Sequence, residues 1–252
     1  MLSAERKLKI ADIVSKNGGI KTSDLSSTFN VSEMTILRDL AMLEEQGILK
    51  RVYGGAVSVK SNTGEISSIL RKRIHAPEKD VIGEKALDLI SEGDSIFLDG
   101  STTALALARR LYVMEDLVVV TNALEIINEL RQNSNIELIC TGGEFKKITA
   151  DFLGPGTEMT LKNFNTDKAF ISSAGVSLKA GITVQNPLQA SIKKIMIENS
   201  AESILLVDCS KFDIVTLNKV CLLEEIDTII TDKKPGGNYL KFFKENNIRI
   251  LF

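Results

Sequence analysis

The sequence predicts an α/β protein made of two unequal domains. Three helical patterns followed by two extended runs occupy residues 1–57, and short apolar runs alternate with helical patterns over residues 75–252. Between them lies a short polar stretch that ends at Gly64, so we place a linker at residues 58–74. A chain of 252 residues is long enough for this arrangement.

The first domain begins with three short helices. Ser3 can cap the first, which Asn17-Gly18-Gly19 ends, and Thr22 or Ser23 can cap the second. Ser32 can cap the third, and Gly47 stops it. Residues 48–57 then offer two extended runs, with Gly54-Gly55 available for a turn. The apolar positions expected to face inward are Leu8, Ile10, Ile13, Val14, Leu25, Phe29, Ile36, Leu40 and Leu43.

The second domain reads as strands separated by amphipathic helices. Strands are expected at residues 95–98, 117–120, 136–140, 168–171, 203–207, 228–230 and 248–251. Helices are expected at residues 77–90, 103–111, 123–133, 157–164, 188–200 and 239–246. Because the strands are rich in Val, Ile and Leu on both faces, they predict a mostly parallel sheet covered on both sides.

Composition and charge exclude several classes of protein. With Lys+Arg 31 and Asp+Glu 33, the net charge is -2, so any contact with nucleic acid must come from a local surface. Residues 1–60 carry a charge of +2 and the rest -4, which suits a DNA-facing first domain. Three cysteines and one histidine exclude a disulfide scaffold and a zinc finger, and we expect neither metal nor cofactor. No apolar run approaches a membrane span and no secretory signal is visible, so we expect a cytoplasmic protein without membrane contact.

Three helices followed by a hairpin describe a winged helix-turn-helix, whose third helix would enter the DNA major groove. Arg38 could form two hydrogen bonds to guanine, and residues of the hairpin are placed for phosphates. A helical capping domain with a solvated charged face is the alternative that the pattern alone leaves open. The candidate DNA contacts are Ser32, Glu33, Met34, Thr35, Leu37, Arg38, Lys50, Arg51 and Tyr53.

The run Ile96-Phe-Leu-Asp-Gly-Ser-Thr-Thr-Ala104 carries the strongest local chemistry of the second domain. A buried strand ends at Asp99, and a glycine and three hydroxyl residues then precede a helix, which makes an anion cradle. The spacing is that of neither a nucleotide P-loop nor a dinucleotide fingerprint. A sugar hydroxyl is a better partner for the Asp99 carboxylate than a phosphate. The simpler interpretation is a strand-to-helix turn in which Ser101 or Thr102 only caps the helix.

Polar and small residues also follow the other predicted strands, where α/β proteins bind ligands. They are Thr121-Asn122, Thr141-Gly142-Gly143, Ser172-Ser-Ala-Gly175, and Asp208 with Ser210-Lys211. Positive charge could come from Lys193 or Lys194 and from Lys211. In the simpler interpretation, Gly142-Gly143 only forms a turn, and Lys193 and Lys194 only lie on a solvated helix face. His75 lies far from these loops in sequence, so a surface or packing role suits it better than catalysis.

The first domain resembles the N-terminal signature of the DeoR (GlpR-type) family of bacterial transcriptional regulators. The resemblance rests on Val31-Ser-Glu-Met-Thr-Ile-Leu-Arg-Asp-Leu40, Leu43-Glu44, Gly47 and Arg51-Val-Tyr-Gly-Gly-Ala56. The family usually has a second arginine where this chain has Leu37 and a histidine where it has Tyr53. The operator sequence is therefore expected to differ from the family norm.

The resemblance continues through Leu98-Asp-Gly-Ser-Thr-Thr103, Val120-Thr-Asn122, Thr141-Gly-Gly143, Phe170-Ile-Ser-Ser-Ala-Gly175, Asp208-Cys-Ser-Lys-Phe212 and Ile230-Thr-Asp232. It implies a domain similar in fold to ribose-5-phosphate isomerase and glucosamine-6-phosphate deaminase, which in the family senses phosphorylated sugars. One departure is Gln189, where the family often has a glutamate. The effector residues implied by the resemblance are Asp99, Gly100, Ser101, Thr102, Thr103, Thr121, Asn122, Gly142, Gly143, Gly175, Lys193 and Lys211.

The function expected from the sequence is a non-enzymatic transcriptional regulator, most simply a repressor of a carbohydrate-utilisation operon. Its expected partners are double-stranded operator DNA, a phosphorylated sugar effector and further copies of itself, as a homodimer or homotetramer. One alternative is a sugar-phosphate isomerase or deaminase in which Asp99, Asp208 and Lys193 move protons, although no second carboxylate is visible beside Asp99. A nucleoid or scaffold protein without a ligand is a further alternative.

Overall fold

The computed structural model describes residues 3–45, 48–58 and 67–252. Contacts divide the chain into two compact units, Met1–Ile74 and His75–Phe252, called here the head and the body. Gly47 and residues 59–66 of the predicted linker lie outside the described residues. Within the described part, no helix is both long and apolar enough to cross a membrane.

The head is a winged helix-turn-helix, as the sequence predicted. Its three-stranded antiparallel sheet has the order β1-β3-β2. The predicted positions Ile10, Val14, Leu25, Phe29, Ile36, Leu40 and Leu43 are buried in one core, Ile13 is only partly buried, and the side chain of Leu8 is outside what is described. The elements are α1 (Ser3–Asn17), β1 (Gly19–Lys21), α2 (Thr22–Phe29), α3 (Glu33–Glu45), β2 (Leu49–Val52), β3 (Gly55–Ser58) and α4 (Ser68–Arg73).

The first helical connection differs from the sequence prediction. Neither Thr22 nor Ser23 caps α2, because the chain enters the helix directly from β1 and the capping position is Lys21, which provides no side-chain cap. The backbone N–H of Thr22 donates instead to the Gly54 carbonyl, at 2.9 Å. The strand β1 was not predicted, since three residues are too few to show an alternating pattern.

The hairpin turn also lies one residue earlier than predicted. Val52 pairs with Gly55, so the two turn residues are Tyr53 and Gly54, and Gly54 has φ +78°. Gly55 belongs to β3, where a side chain could not fit because a Cβ would lie 2.2 Å from the Ile20 carbonyl oxygen.

The second half of the predicted linker is a helix that belongs to the head. Ser67 Oγ caps α4 by accepting the N–H of Leu70 at 3.4 Å. Leu70 is buried in the head core, and Ile74 packs against that core. The linker prediction is therefore wrong for residues 67–74, because Leu70 and Ile74 join this segment to the apolar core of the head.

The body is built on a seven-stranded parallel sheet with the order β15-β14-β12-β9-β4-β5-β6. Apolar clusters cover both faces, one around Phe97 and Phe243 and the other around Ile82 and Leu98. The sheet strands are β4 (Ser95–Leu98), β5 (Leu117–Thr121), β6 (Ile136–Cys140), β9 (Thr166–Ile171), β12 (Ser200–Leu206), β14 (Thr228–Ile230) and β15 (Arg249–Leu251). The helices are α5 (Ala76–Leu87), α6 (Thr102–Ala108), α7 (Leu124–Leu130), α8 (Pro155–Leu161), α9 (Pro187–Glu198) and α10 (Gly237–Glu245). These elements confirm the strand and helix alternation read from the sequence.

Two smaller sheets were not predicted. A hairpin pairs β7 (Glu144–Lys146) with β8 (Asp151–Leu153), and an antiparallel sheet joins β10 (Gly175–Ser177), β11 (Gly181–Val184) and β13 (Asn218–Cys221). Three short 3-10 helices lie at Leu111–Val113, Cys209–Lys211 and Leu223–Glu225.

The strand order reverses beside β4. From β4 the chain proceeds to β5 and β6 on one side, and it then returns to β9 on the other side of β4. The loops after β4 and β9 therefore leave the sheet at the point where its strand order reverses. In parallel α/β sheets, ligands bind at this kind of reversal point.

Candidate functional site

One face of α3 is exposed, and the opposite face packs into the apolar core of the head. Ser32 caps the helix, with its Oγ accepting the Thr35 N–H at 3.3 Å. Ile36 and Leu40 are buried beneath. Of the candidate contacts on this helix, Thr35 is half-buried and the others, Ser32, Glu33, Met34, Leu37 and Arg38, are exposed.

The wing hairpin carries the remaining head candidates. Lys50, Arg51 and Tyr53 are exposed, and Tyr53 stands at the tip of the hairpin. The Arg51 Nε lies 2.7 Å from Glu44 Oε2, and the Arg51 backbone N–H donates to Glu44 Oε1 at 2.8 Å. These hydrogen bonds hold the pKa of Glu44 below its ordinary value. Glu44 therefore fixes the wing to α3, a role that the sequence analysis did not assign.

A buried ion pair sets the position of α3 in the head. Arg6 Nε of α1 lies 2.6 Å from Asp39 Oδ2 of α3, and both side chains are buried. This ion pair was not predicted, because the two residues come together only when the helices pack.

In the body, Asp99 lies at the end of β4, beside the reversal of strand order. Its Oδ1 accepts the Ser101 N–H at 3.0 Å, and its Oδ2 accepts the Ser172 N–H at 2.7 Å and a short hydrogen bond from Lys193 Nζ. Asp99 and Lys193 are both buried. The carboxylate therefore joins the loops after β4 and β9 to α9, and three of its roughly four acceptor directions are occupied.

A second buried carboxylate lies close to Asp99. A Cβ placed on Gly100 would lie 2.1 Å from Asp151 Oδ1, and Asp151 Oδ2 accepts the Gln189 Nε2 hydrogen bond at 3.0 Å. The hairpin of β7 and β8 brings Asp151 there. The sequence analysis identified no second carboxylate near Asp99, whereas the structure places Asp151 against Gly100, the residue after Asp99, because a short hairpin far along the chain folds back there.

Thr121, the last residue of β5, and Asn122, which follows it, differ in their hydrogen bonding. Thr121 Oγ1 donates to the Leu98 carbonyl at 2.7 Å and accepts the Ala123 N–H at 3.1 Å. Asn122 Nδ2 donates to the Phe152 carbonyl at 2.9 Å, whereas its buried Oδ1 has no partner among the described residues.

After β9, the buried Ser173 Oγ likewise has no partner within the described part of the chain. Since β5 and β9 flank β4 on its two sides, these two unpartnered atoms belong to the strand ends on either side of Asp99.

The three hydroxyl residues at the start of α6 have different surroundings. Only Ser101 precedes the helix, because α6 begins at Thr102, earlier than the sequence predicted. Ser101 Oγ accepts the Ala104 N–H at 3.0 Å, so the simpler interpretation, a helix cap, holds for this residue. Thr103 is buried and Thr102 is half-buried.

The candidate glycines allow close packing. A Cβ on Gly143 would lie 2.0 Å from Thr157 Oγ1, which donates to the Gly142 carbonyl at 2.7 Å. A Cβ on Gly175 would lie 2.3 Å from the Ile214 carbonyl oxygen. Each position therefore has a structural reason to be glycine.

The candidate cations differ in surroundings. Lys193 is buried against Asp99, whereas Lys194 is exposed and lies 3.7 Å from Glu198. Lys211 is half-buried. Among the described residues, the groups that donate to the Asp99 carboxylate belong to Ser101, Ser172 and Lys193, and not to Lys211 or Gly175. His75 is exposed, 3.6 Å from Glu78 at the start of α5.

Comparison with known proteins covers both units. Residues 6–62 match the model of the DeoR-like helix-turn-helix domain, and residues 74–233 match that of the DeoR C terminal sensor domain. The chain is 36% identical over 250 residues to the HTH-type transcriptional regulator YulB of Bacillus subtilis, covering 99% of this chain and 96% of that one. It is 33% identical to the transcriptional repressor AccR of Agrobacterium fabrum, covering 90% and 89%.

A third relative is the L-fucose operon activator of Haemophilus influenzae, 36% identical over 93% of this chain and 94% of that one. Among solved structures, ribose 5-phosphate isomerase A of Methanocaldococcus jannaschii superposes with a TM-score of 0.40 at 20% identity, over 55% of each chain.

Proposed function

The chain belongs to the DeoR family of transcriptional regulators, and on this premise we propose that it represses a carbohydrate-utilisation operon under the control of a phosphorylated sugar. The head would bind operator DNA, and the sugar phosphate would bind at the carboxyl edge of the parallel sheet. The relatives described above include a repressor and an activator of an L-fucose operon. Repression, as opposed to activation, is therefore itself part of the proposal. Such a regulator acts where the chromosome lies, in the cytoplasm.

The head supports DNA binding through the exposed face of α3 and the exposed wing. In this arrangement α3 enters the major groove, and the wing reaches the phosphate backbone. The proposed contacts are Ser32, Glu33, Met34, Thr35, Leu37, Arg38, Lys50, Arg51 and Tyr53. We further propose a homodimer or homotetramer, because two-fold symmetry would place two heads on matching half-sites.

The observation that carries the effector proposal is a pair of buried atoms, Asn122 Oδ1 and Ser173 Oγ, that have no hydrogen-bond partner among the residues the structure describes. A buried polar atom without a hydrogen bond costs about 1–3 kcal/mol, so a ligand hydroxyl that supplied the missing partner would be bound favourably. Because Asp99 already accepts three hydrogen bonds, Asn122 is the better acceptor for such a hydroxyl. The proposed effector residues are Asp99, Gly100, Ser101, Thr102, Thr103, Thr121, Asn122, Gly142, Gly143, Gly175, Lys193 and Lys211.

Within this set, some residues hold the site rather than contact the ligand. Asp99 and Thr121 hold the loops together through their hydrogen bonds, and Ser101 caps α6. Thr102 and Lys211 are half-buried, and they are the polar groups best placed to meet a phosphate. Gln189 donates to Asp151, so this carboxylate is already engaged before a ligand arrives.

The structure adds a second buried carboxylate, Asp151, to the enzyme alternative, but both carboxylates already accept hydrogen bonds from other residues. Asp151 lies beside Gly100, yet it accepts from Gln189, and Asp99 is held by Lys193 and two backbone N–H groups. A general base needs a lone pair directed at the substrate proton. We therefore propose that the site binds its ligand without turnover. Conversion of any aldose phosphate above the uncatalysed rate would contradict this.

Fluorescence anisotropy with the DNA upstream of the protein's own operon tests the proposed function. Binding is expected to weaken steeply with salt, since it depends on phosphate contacts. One member of a panel of hexose, pentose and amino-sugar phosphates is then expected to weaken binding about 5–150-fold, which corresponds to a typical coupling of about 1–3 kcal/mol. No DNA binding at low salt would contradict the operator role, and binding that no phosphate changes would contradict the effector role.

A further inference from the structure

Two large apolar side chains stand on the outward face of α3 in its N-terminal half. Met34 is 60% exposed and Leu37 is 39% exposed. Because they are three residues apart they lie on the same side of the helix, and Arg38, four residues after Met34, shares that side. Ile36 and Leu40 are buried on the other side. The apolar pair and the arginine therefore form one surface, called here the reading face.

The chemistry of this face limits what it can recognise. A leucine side chain has no hydrogen-bonding group, and a methionine sulfur accepts only weakly. Against the polar edges of guanine, cytosine or adenine, both would remove water without replacing its hydrogen bonds, which is unfavourable. The C5 methyl of thymine is the one apolar group on the base edges of the major groove.

We propose that Met34 and Leu37 contact thymine methyl groups in each operator half-site, beside the base pair that Arg38 contacts. The proposal rests on the DNA-binding role given to α3 above and adds the kind of base that it selects. The half-site would then carry A·T pairs next to a G·C pair, since Arg38 can form two hydrogen bonds to guanine.

The test uses the full chain and an operator duplex defined by footprinting the DNA upstream of its own operon. Each thymine in the duplex is replaced singly by deoxyuridine, which lacks only the methyl group. At thymines under the reading face, each replacement is expected to weaken binding about fourfold, the equivalent of about 0.8 kcal/mol for one buried methyl-sized group. Replacements outside the footprint are expected to have no effect.

Variants then connect each methyl group to a side chain. Leu37→Ala is expected to bind the thymine and deoxyuridine duplexes equally at one sensitive position, and Met34→Ala at another. Met159→Ala is the matched control, because Met159 is a comparably exposed methionine of the body, at 70%, and this variant should keep both sensitivities. Circular dichroism establishes that each variant is folded.

The outcomes separate this inference from the function on which it rests. If wild-type protein binds the operator but no thymine is sensitive to loss of its methyl group, the inference is wrong. It is also wrong if Leu37→Ala and Met34→Ala keep every sensitivity of the wild type. Absence of any operator binding at low salt would instead overturn the proposed DNA-binding role itself.

Discussion

Asp99 and Lys193 form a buried ion pair that links the end of β4 to α9. The same Asp99 oxygen accepts the backbone N–H of Ser172, so the loops that follow β4 and β9 at the reversal of strand order are joined by one carboxylate. Buried charges are tolerated when they are paired and hydrogen-bonded, and each of these two charges has a partner. The floor of the proposed effector site is therefore assembled before a ligand binds.

Removal of the Lys193 ammonium is expected to destabilise the body strongly. Lys193→Ala leaves the Asp99 carboxylate buried without its counter-charge, and breaking a buried pair in this way costs about 3–5 kcal/mol. Urea unfolding followed by circular dichroism measures the loss. The control is Lys194→Ala, because Lys194 is exposed and pairs only with Glu198 on the helix surface. Equal stabilities of the two variants would contradict the role given to the ion pair.

Loss of the hydroxyl groups at the start of α6 is expected to separate sensing from DNA binding. In a Ser101/Thr102/Thr103→Ala protein, the response of operator affinity to the sugar phosphate should disappear, while operator affinity without the effector stays unchanged. Stability should fall by about 1 kcal/mol from the lost Ser101 cap. Anisotropy with and without effector measures both affinities. A folded variant that has lost operator affinity would show that the hydroxyl groups serve the head's function as well.

Arg38 and Lys50 are expected to act on DNA in different ways. Arg38→Ala should relax the preference at one base pair, at a cost of about 1–3 kcal/mol, because it removes a contact to a base edge. Lys50→Ala should weaken binding to all sequences and reduce the salt slope by about one, because it removes a phosphate contact. Competition with single-base operator variants over a salt series measures both effects. Lys241→Ala, an exposed lysine of the body, is the control and should change neither.

Acid is expected to weaken the start of the parallel sheet at Asp167. Hydrogen bonds from the Ser95 backbone N–H and hydroxyl to its Oδ2 hold the pKa of Asp167 below its ordinary value. The stabilisation is complete above the unfolded-state pKa, about 4. It is lost as the pH falls through the lower pKa of the folded state.

Thermal melts of wild type and Ser95→Ala from pH 7 to pH 3 test this. The variant should melt at a lower temperature at pH 7, and the difference should shrink below about pH 4 as the carboxylate becomes protonated. Ser134→Ala, at an exposed serine, should show no pH-dependent difference. A Ser95→Ala deficit that persists unchanged in acid would mean that the hydroxyl stabilises the sheet independently of the Asp167 charge.

The regular elements could be predicted from the sequence because their signals are local. The buried strands carry continuous runs of Val, Ile and Leu, and the helix α3 shows Ile36, Leu40 and Leu43 at helical spacing with Ser32 as its cap. The strands β1 and β7 have only three residues each, too few for a period to be recognised. Thr22 looked like a cap, but pairing of β1 with β3 brought the Gly54 carbonyl to its N–H instead.

The candidate site could be predicted only in part, because its contacts are long-range. Asp99 and Asn122 were predicted because they follow strands, and Lys193 was predicted from the family resemblance. The sequence pattern alone could not distinguish Lys193 from its exposed neighbour Lys194. Asp151 carried no signal, since an irregular hairpin returns it to Gly100. The pairing of Gln189 with Asp151 likewise depends on how α9 packs beside that hairpin.

The most direct test of the proposed control by a sugar phosphate measures the coupling from both ends. Operator affinity is measured with and without saturating effector, and effector affinity with and without saturating operator, on the same preparation. Because coupling between two binding sites is reciprocal, the account predicts the same factor in both directions, within about 5–150-fold. A factor of one, with both ligands bound, would contradict the account, since the sugar phosphate would then occupy the body without affecting the head.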